Sequence, residues 1–182
     1  RARPDRAAAA RAALPAVELS VGAVVYAETF GNPSEAWLYR QVAATGAPLV
    51  THDHRNAATF PYTRAHVVPR TKSLLDRAVA AARLPLARHG YRLPRSTERR
   101  LRDALRALSA TLLHAHFGPA GLRALPAARA LGIPLLVTFH GFDATALPSR
   151  DPAYVRALAS LWREARRVLC VSAFVASRLR AL

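Results

Sequence analysis

Two segments of the sequence each run from apolar residues directly into a turn that contains histidine and glycine. The first spans 112–119 and the second spans 135–143, with one helix-length stretch between them. In a parallel sheet such turns fall at the carboxyl ends of neighbouring strands, and open α/β folds bind their ligands at that edge. The two turns are therefore candidate walls of one cleft.

The second turn has the residue types that bind hydroxyl groups. A neutral imidazole at His140 can donate and accept hydrogen bonds with sugar hydroxyls, and Gly141 permits a close approach between the backbone and a ligand. Asp143 either accepts hydrogen bonds from such hydroxyls or caps the loop. We expect His140 to be functional and leave both interpretations of Asp143 open.

The first turn holds two histidines, His114 and His116, which are two residues apart and so share one face of a strand. As metal ligands they would need a third partner, and no carboxylate or cysteine lies nearby at a recognisable ligand spacing. We therefore expect no metal site. His114 is predicted to be a hydrogen-bonded core histidine, whereas His116 stands at the strand exit and is predicted to face the cleft.

An earlier turn, at 31–35, places a helix amino terminus at the exit of the first predicted strand. Asn32 is a candidate helix cap, Pro33 suits the first helical position, and Glu35 lies three residues after the cap. Such a terminus suits phosphate oxygens, and an ordinary capped turn explains it equally well. No Gly-x-Gly-x-x-Gly, Gly-Lys-Ser/Thr or serine-hydrolase elbow occurs in the sequence.

The elements that would position these turns alternate between strands and helices. This order predicts an α/β fold, a Rossmann-like parallel sheet with helices on both faces and right-handed crossovers. We predict a disordered or frayed arm at 1–17 and one domain at 18–182. The predicted strands are 19–27, 48–52, 63–68, 111–116, 135–139 and 168–171, and the predicted helices cover 33–44, 71–87, 96–108, 120–131, 152–165 and 173–179.

The charge is strongly basic, with 27 Lys+Arg against 11 Asp+Glu and a net charge of +16. Such a surface attracts phosphates, anionic lipid head groups and nucleic acid. The arginines are scattered, however, and the aromatic residues lie within apolar periodic runs, so we expect no nucleic-acid partner. The arginine run at 99–106 is predicted to be a solvated helix face.

The cellular compartment is predicted from the cysteine content and from the apolar segments of the sequence. Cys170, the single cysteine, lies in an apolar strand pattern and is predicted to be a buried, inert thiol outside any disulfide. No apolar run reaches the length of a membrane span, and arginines interrupt the alanines at 1–15 too often for a signal peptide. We expect a cytoplasmic protein. The chain starts without Met and stops near a helix at Leu182, which suggests a piece of a longer protein.

Three segments of the sequence resemble one known protein family. The residues at 114–143 resemble the amino-terminal half of family 4 glycosyltransferases, particularly those of colanic-acid-type exopolysaccharide synthesis. The residues at 29–39 resemble the opening loop and helix of that family, and those at 168–179 resemble the strand that precedes its interdomain linker.

The resemblance implies a GT-B architecture of two facing Rossmann-like domains, of which this chain supplies the first. The second domain would bind most of a nucleotide-sugar donor and carry a Glu-x7-Glu motif, so this chain alone would be inactive. Transfer would retain the anomeric configuration and need no cofactor. His140 would contact the donor sugar, and the residues implied to bind substrate around it are Asn32, Glu35, His116, Phe117, Gly118, Gly141 and Asp143.

The acceptor would be a saccharide or a lipid-linked saccharide. The basic surface would then allow peripheral contact with the anionic inner face of a membrane. A different class of function also fits the composition: a non-catalytic basic α/β module that binds anionic lipid or polymer.

Overall fold

The structure, a computed structural model, describes residues 22–70 and 91–182. The strands are β1 Ala23–Phe30, β2 Leu49–His54, β3 Ala65–Val67, β4 Leu112–His116, β5 Leu135–Phe139 and β6 Arg167–Cys170. A 3-10 turn at Pro33–Glu35 precedes the helices α1 Ala36–Thr45, α2 Arg95–Ala107, α3 Gly118–Leu131, α4 Ala146–Arg150, α5 Pro152–Glu164 and α6 Ala173–Arg180. The predicted arm at 1–17 and the predicted helix at 71–87 lie outside the described residues.

Within the described chain the six strands form one sheet in the order β3-β2-β1-β4-β5-β6. Every pairing is parallel, so the predicted Rossmann-like sheet is confirmed. The chain runs from β1 towards β3 on one side and from β4 towards β6 on the other. The order therefore reverses between β1 and β4, and this switch point is where folds of this kind open a ligand crevice.

Apolar side chains cover both faces of the sheet. The larger core cluster joins Leu113 and Ala115 of β4 to buried residues of α2, α3 and α5. The smaller cluster packs Leu38 and Val42 of α1 against the opposite face of β1 and β2. Because side chains alternate along a strand, the histidines of β4 face the α1 side, away from the larger core.

Several local predictions are confirmed. Asp151 caps α5 by accepting hydrogen bonds from the backbone N–H of Ala153 at 2.9 Å and of Tyr154 at 3.2 Å. Ser172 accepts from the N–H of Val175 at 3.2 Å and caps α6. On α2 the arginines at 99, 100 and 106 are exposed, as the solvated-face prediction requires, whereas Arg102 of the same run is partly buried with its Nε atom out of solvent.

Other local predictions need correction. The first strand continues to Phe30 instead of ending at 27, because residues up to Phe30 pair with β2. The first residues of that predicted strand, 19–21, lie outside the described residues. Asn32 does not cap a helix with its side chain; its amide donates to the Glu35 carboxylate at 3.3 Å, and α1 begins only at Ala36. Cys170 is free but only partly buried, and burial raises the pKa of its thiol.

The described residues were also compared with the requirements of a membrane-spanning helix and of a metal site. Among the described helices, none is both long and apolar enough to cross a membrane. In the same part of the chain, no group of three or more histidine, cysteine, aspartate or glutamate side chains is arranged to hold a metal ion.

Candidate functional site

Three histidines form a row where β4 and β5 end beside the switch point. The ring centroids of His114 and His116 are 4.5 Å apart, and those of His116 and His140 are 5.2 Å apart. Nδ1 of His116 lies 3.0 Å from Nε2 of His140, within hydrogen-bond distance. Nε2 of His114 forms a 2.7 Å hydrogen bond with the Thr138 hydroxyl, so the predicted hydrogen bond is confirmed. The predicted core position is not, because His114 is only partly buried and borders a hollow on the α1 face.

The indole of Trp37, on α1, holds this row in place. It stacks on His140 with a centroid distance of 4.2 Å and an interplanar angle of 26°. The same indole is 5.4 Å from the ring of His116, and the ring of Phe117 lies 4.6 Å from His140. The His140 imidazole is therefore bounded by two aromatic rings and hydrogen-bonded to a third, which fixes its orientation.

Both paired histidines are neutral at physiological pH. Burial lowers the pKa of His116 from 6.5 to about 2, and repulsion by the protonated forms of His114 and His140 acts in the same direction. Burial, with repulsion by protonated His114, lowers the pKa of His140 to about 4. A neutral imidazole has one N–H donor and one bare nitrogen acceptor. The pair can thus present hydrogen-bonding groups without adding positive charge to the site.

Asp143 ties the two histidine-bearing turns together. It is only 1% exposed. Its Oδ2 accepts from the backbone N–H of Gly118 at 2.8 Å, and its Oδ1 accepts from those of His140 at 2.9 Å and Gly141 at 3.0 Å. Burial raises the pKa of this carboxyl, although the N–H groups act in the opposite direction. The loop-capping interpretation of Asp143 is confirmed, and its binding to ligand hydroxyls stays a prediction.

The glycines of the two turns serve different needs. A Cβ on Gly118 would lie 2.0 Å from the hydroxyl oxygen of Tyr154 and 2.6 Å from the ring of Phe139, so this glycine permits close packing. Gly141 has φ +118°, and a Cβ there would meet nothing within 4 Å. The backbone at Gly141 therefore borders open space. Direct contact between substrate and either glycine stays a prediction.

A cleft of about 260 Å³ opens between the loop that follows β1 and the turn that follows β4. Four of its lining residues were predicted to bind substrate in addition to Asp143: Asn32, Glu35, His116 and Phe117. His140 instead borders a wider hollow of about 610 Å³ on the α1 face, which Trp37 and Val171 also line. His116, although only 1% exposed, lies between the two spaces. The predicted residues thus lie close together, but His140 and the cleft are on opposite sides of His116.

Phe117 adopts φ 73°, a conformation that costs free energy for a residue with a side chain. Its backbone N–H donates to the carbonyl of Thr138 at 2.8 Å, which joins the first turn to the end of β5. Strained residues of this kind cluster at ligand sites. At Phe117 the chain turns away from the direction of β4, and the Phe117 ring lies against His140.

Two residues of the site, Glu28 and Trp37, were not predicted from the sequence. Glu28, in the same cleft, pairs with Arg123 and, at 2.8 Å, with Arg70. A lone acidic residue within the apolar strand β1 was the available signal for it. Trp37 gave no comparable signal, because a tryptophan on an amphipathic helix is more often a core residue.

These features define a Rossmann-type α/β domain with a polar, aromatic-walled site at its switch point. The architecture fits one half of a GT-B fold. A model of glycosyltransferase family 4 matches residues 64–182, which is more than half of the chain. The chain therefore belongs to glycosyltransferase family 4, whose members act on a sugar donor and an acceptor. A comparison with curated proteins gives no match.

Proposed function

We propose that this domain is the acceptor-side half of a retaining GT-B glycosyltransferase that uses a nucleotide-sugar donor. Family membership supports the transferase class. One observation carries the assignment of the site: the neutral His140 is held by Trp37 and His116, and open space lies above the neighbouring Gly141. A rigid, uncharged imidazole beside an open backbone is suited to binding the hydroxyl groups of a transferred sugar.

In the proposed reaction the bond between the anomeric carbon and the donor diphosphate oxygen breaks. A new bond forms on the same face of the sugar to an acceptor hydroxyl oxygen, and the hydroxyl proton leaves with the diphosphate. This domain would contribute position and hydrogen bonds, with no nucleophile of its own. A second Rossmann-like domain would hold most of the nucleotide, so residues 1–182 alone would be inactive. No metal or other cofactor is required in this scheme.

The acceptor would occupy the cleft on the other side of His116. Glu28 supports this assignment, because its carboxylate is 24% exposed and is oriented by two arginines. Each carboxylate oxygen can accept more than one hydrogen bond, so Glu28 can still accept from a hydroxyl group. Asn32 and Glu35 add an amide and a second carboxylate to the same cleft. We propose a saccharide acceptor, free or lipid-linked, of the exopolysaccharide type.

The net charge of +16 supports a location at the cytoplasmic face of an anionic membrane, where a lipid-linked acceptor would lie. The alternative is a non-catalytic module that binds anionic lipid through the same charge. Vesicle binding that falls steeply with salt is expected in both cases. The discriminating measurement is sugar transfer by the full-length protein.

The experiment is a transfer assay with the full-length protein, a panel of nucleotide sugars and saccharide acceptors. Proton NMR of the product reports the configuration at the new glycosidic bond. Retention supports the proposal, and inversion contradicts the proposed mechanism. Vesicle binding without transfer for any donor would favour the non-catalytic module.

A further inference from the structure

The hydrogen bond between His116 and His140 allows only two arrangements of protons. Nδ1 of His116 and Nε2 of His140 are 3.0 Å apart, so one proton must lie between them. Both rings are neutral, and each therefore carries one N–H. Whichever ring donates, the positions of the protons on the two outer nitrogens follow.

In the first arrangement His116 donates from Nδ1. Its Nε2 is then bare, and His140 carries its proton on Nδ1. In the second arrangement His140 donates from Nε2. His116 then carries its proton on Nε2, and Nδ1 of His140 is bare.

The surroundings of the outer nitrogens differ and decide between these arrangements. Nε2 of His116 is buried and has no hydrogen-bond partner among the residues that the structure describes. Nδ1 of His140 likewise has no hydrogen-bond partner within 22–70 and 91–182, but His140 is only partly buried and this nitrogen reaches solvent. A buried N–H without an acceptor is rarer and more costly than a buried acceptor without a donor. The first arrangement leaves only a bare nitrogen buried, and it places the N–H of His140 where water or a ligand can accept from it.

We propose that His116 is a positioning residue that donates from Nδ1 to His140 and thereby fixes His140 as the tautomer with an open Nδ1–H donor. The ligand group that fits this donor is an oxygen lone pair, such as that of a sugar hydroxyl or ring oxygen. The assignment to a sugar rests on the proposed function, whereas the tautomer does not.

The direct test is NMR of the 182-residue chain labelled with ¹⁵N-histidine at neutral pH. Nitrogen shifts distinguish a protonated ring nitrogen from a bare one. We expect His140 to be protonated on Nδ1 and bare on Nε2, and His116 to be protonated on Nδ1. A His140 protonated on Nε2 would overturn the proposal.

Two variants of His116 test whether it fixes the tautomer. His116→Phe keeps a buried ring but removes the donor, and His140 is expected to shift towards the Nε2–H form or a mixture. His116→Asn places an amide N–H near the position of Nδ1 and is expected to restore the Nδ1–H form. If His140 has the same tautomer in the wild type and in His116→Phe, His116 does not position it. The wild-type spectrum decides the tautomer even if a variant fails to fold.

The consequence for transfer is measured separately in the full-length protein. His116→Phe is expected to lower kcat/KM by roughly tenfold, and His116→Asn to recover most of that loss. A purely structural role would not distinguish the two variants in this order. If the NMR result holds while His116→Phe transfers sugar as the wild type does, the proposed role of His140 in sugar binding fails and the tautomer assignment stands.

Discussion

Asp143 joins two loops through three hydrogen bonds, and its removal should be costly. In Asp143→Ala the backbone N–H groups of Gly118, His140 and Gly141 lose their acceptor. Hydrogen bonds to a charged group are worth about 1.5–3 kcal/mol each, but they are not additive. The N–H groups of His140 and Gly141 lie in partly exposed residues and can bind water, whereas Gly118 is buried.

The burial of the carboxylate works against these bonds. The raised pKa of Asp143 shows that desolvation outweighs the effect of the N–H groups on the charged form. Removing the carboxylate therefore recovers part of the lost free energy. We expect Asp143→Ala to lower the free energy of unfolding by about 2–4 kcal/mol, a large part of the stability of an ordinary domain.

The assay is urea denaturation of the chain followed by circular dichroism, with two comparison variants. Asp143→Asn keeps one acceptor oxygen but turns an NH₂ group towards at least one donor, so an intermediate loss of about 1–2 kcal/mol is expected. Asp53→Ala is the matched control, because the Asp53 side chain is 48% exposed and, within the described part of the chain, pairs only with the exposed Arg55. The cost of this substitution should stay below about 1 kcal/mol. A loss in Asp143→Ala no larger than that in Asp53→Ala would refute the reasoning.

Three further predictions use other contacts. Because the pKa of His116 is lowered, the folded chain binds fewer protons below pH 6.5 than the unfolded chain. The free energy of unfolding, measured in urea, should therefore decrease as the pH is lowered from 6.5 to 5. His116→Phe should reduce this dependence by about 1.4 kcal/mol per pH unit, and an unchanged dependence would contradict the prediction. Gly118→Ala places a Cβ 2.0 Å from a buried tyrosine oxygen and should lose about 1–3 kcal/mol in denaturation, more than Gly132→Ala, which has φ +65° but open space. In the full-length protein Glu28→Gln should raise KM for the acceptor several-fold and leave KM for the donor unchanged; equal effects on both would argue against the cleft assignment.

Local sequence patterns predicted the parts of this fold that depend on local chemistry. Asp151 followed by proline and Ser172 before an amphipathic stretch both became helix caps, since a cap needs only its own first turn. The alternation of strands and helices was sufficient to predict a parallel sheet. Asn32 failed as a cap because the backbone N–H of Glu35 already donates to the Asn32 carbonyl, at 2.9 Å, in a 3-10 turn that precedes the helix.

The site depends more on contacts between distant residues. His116 and His140 could be predicted to meet, because both end neighbouring strands. The stacking of Trp37 on His140 could not, since it depends on how α1 settles on the sheet. The pairing of Glu28 with Arg123 joins residues 95 positions apart and has no periodic signature. For Asp143 the sequence left two roles open, and only the assembled loops show which backbone groups its oxygens meet.

The measurement that tests the central claim most directly is the transfer rate of full-length His140→Ala. His66→Ala is the matched control, because His66 is an exposed histidine on the edge strand β3, outside both the cleft and the hollow. We predict that His140→Ala lowers kcat/KM by about a hundredfold while His66→Ala does not change it. A His140→Ala enzyme that transfers sugar within about twofold of the wild-type rate, less than a hydrogen bond is worth, would contradict the account.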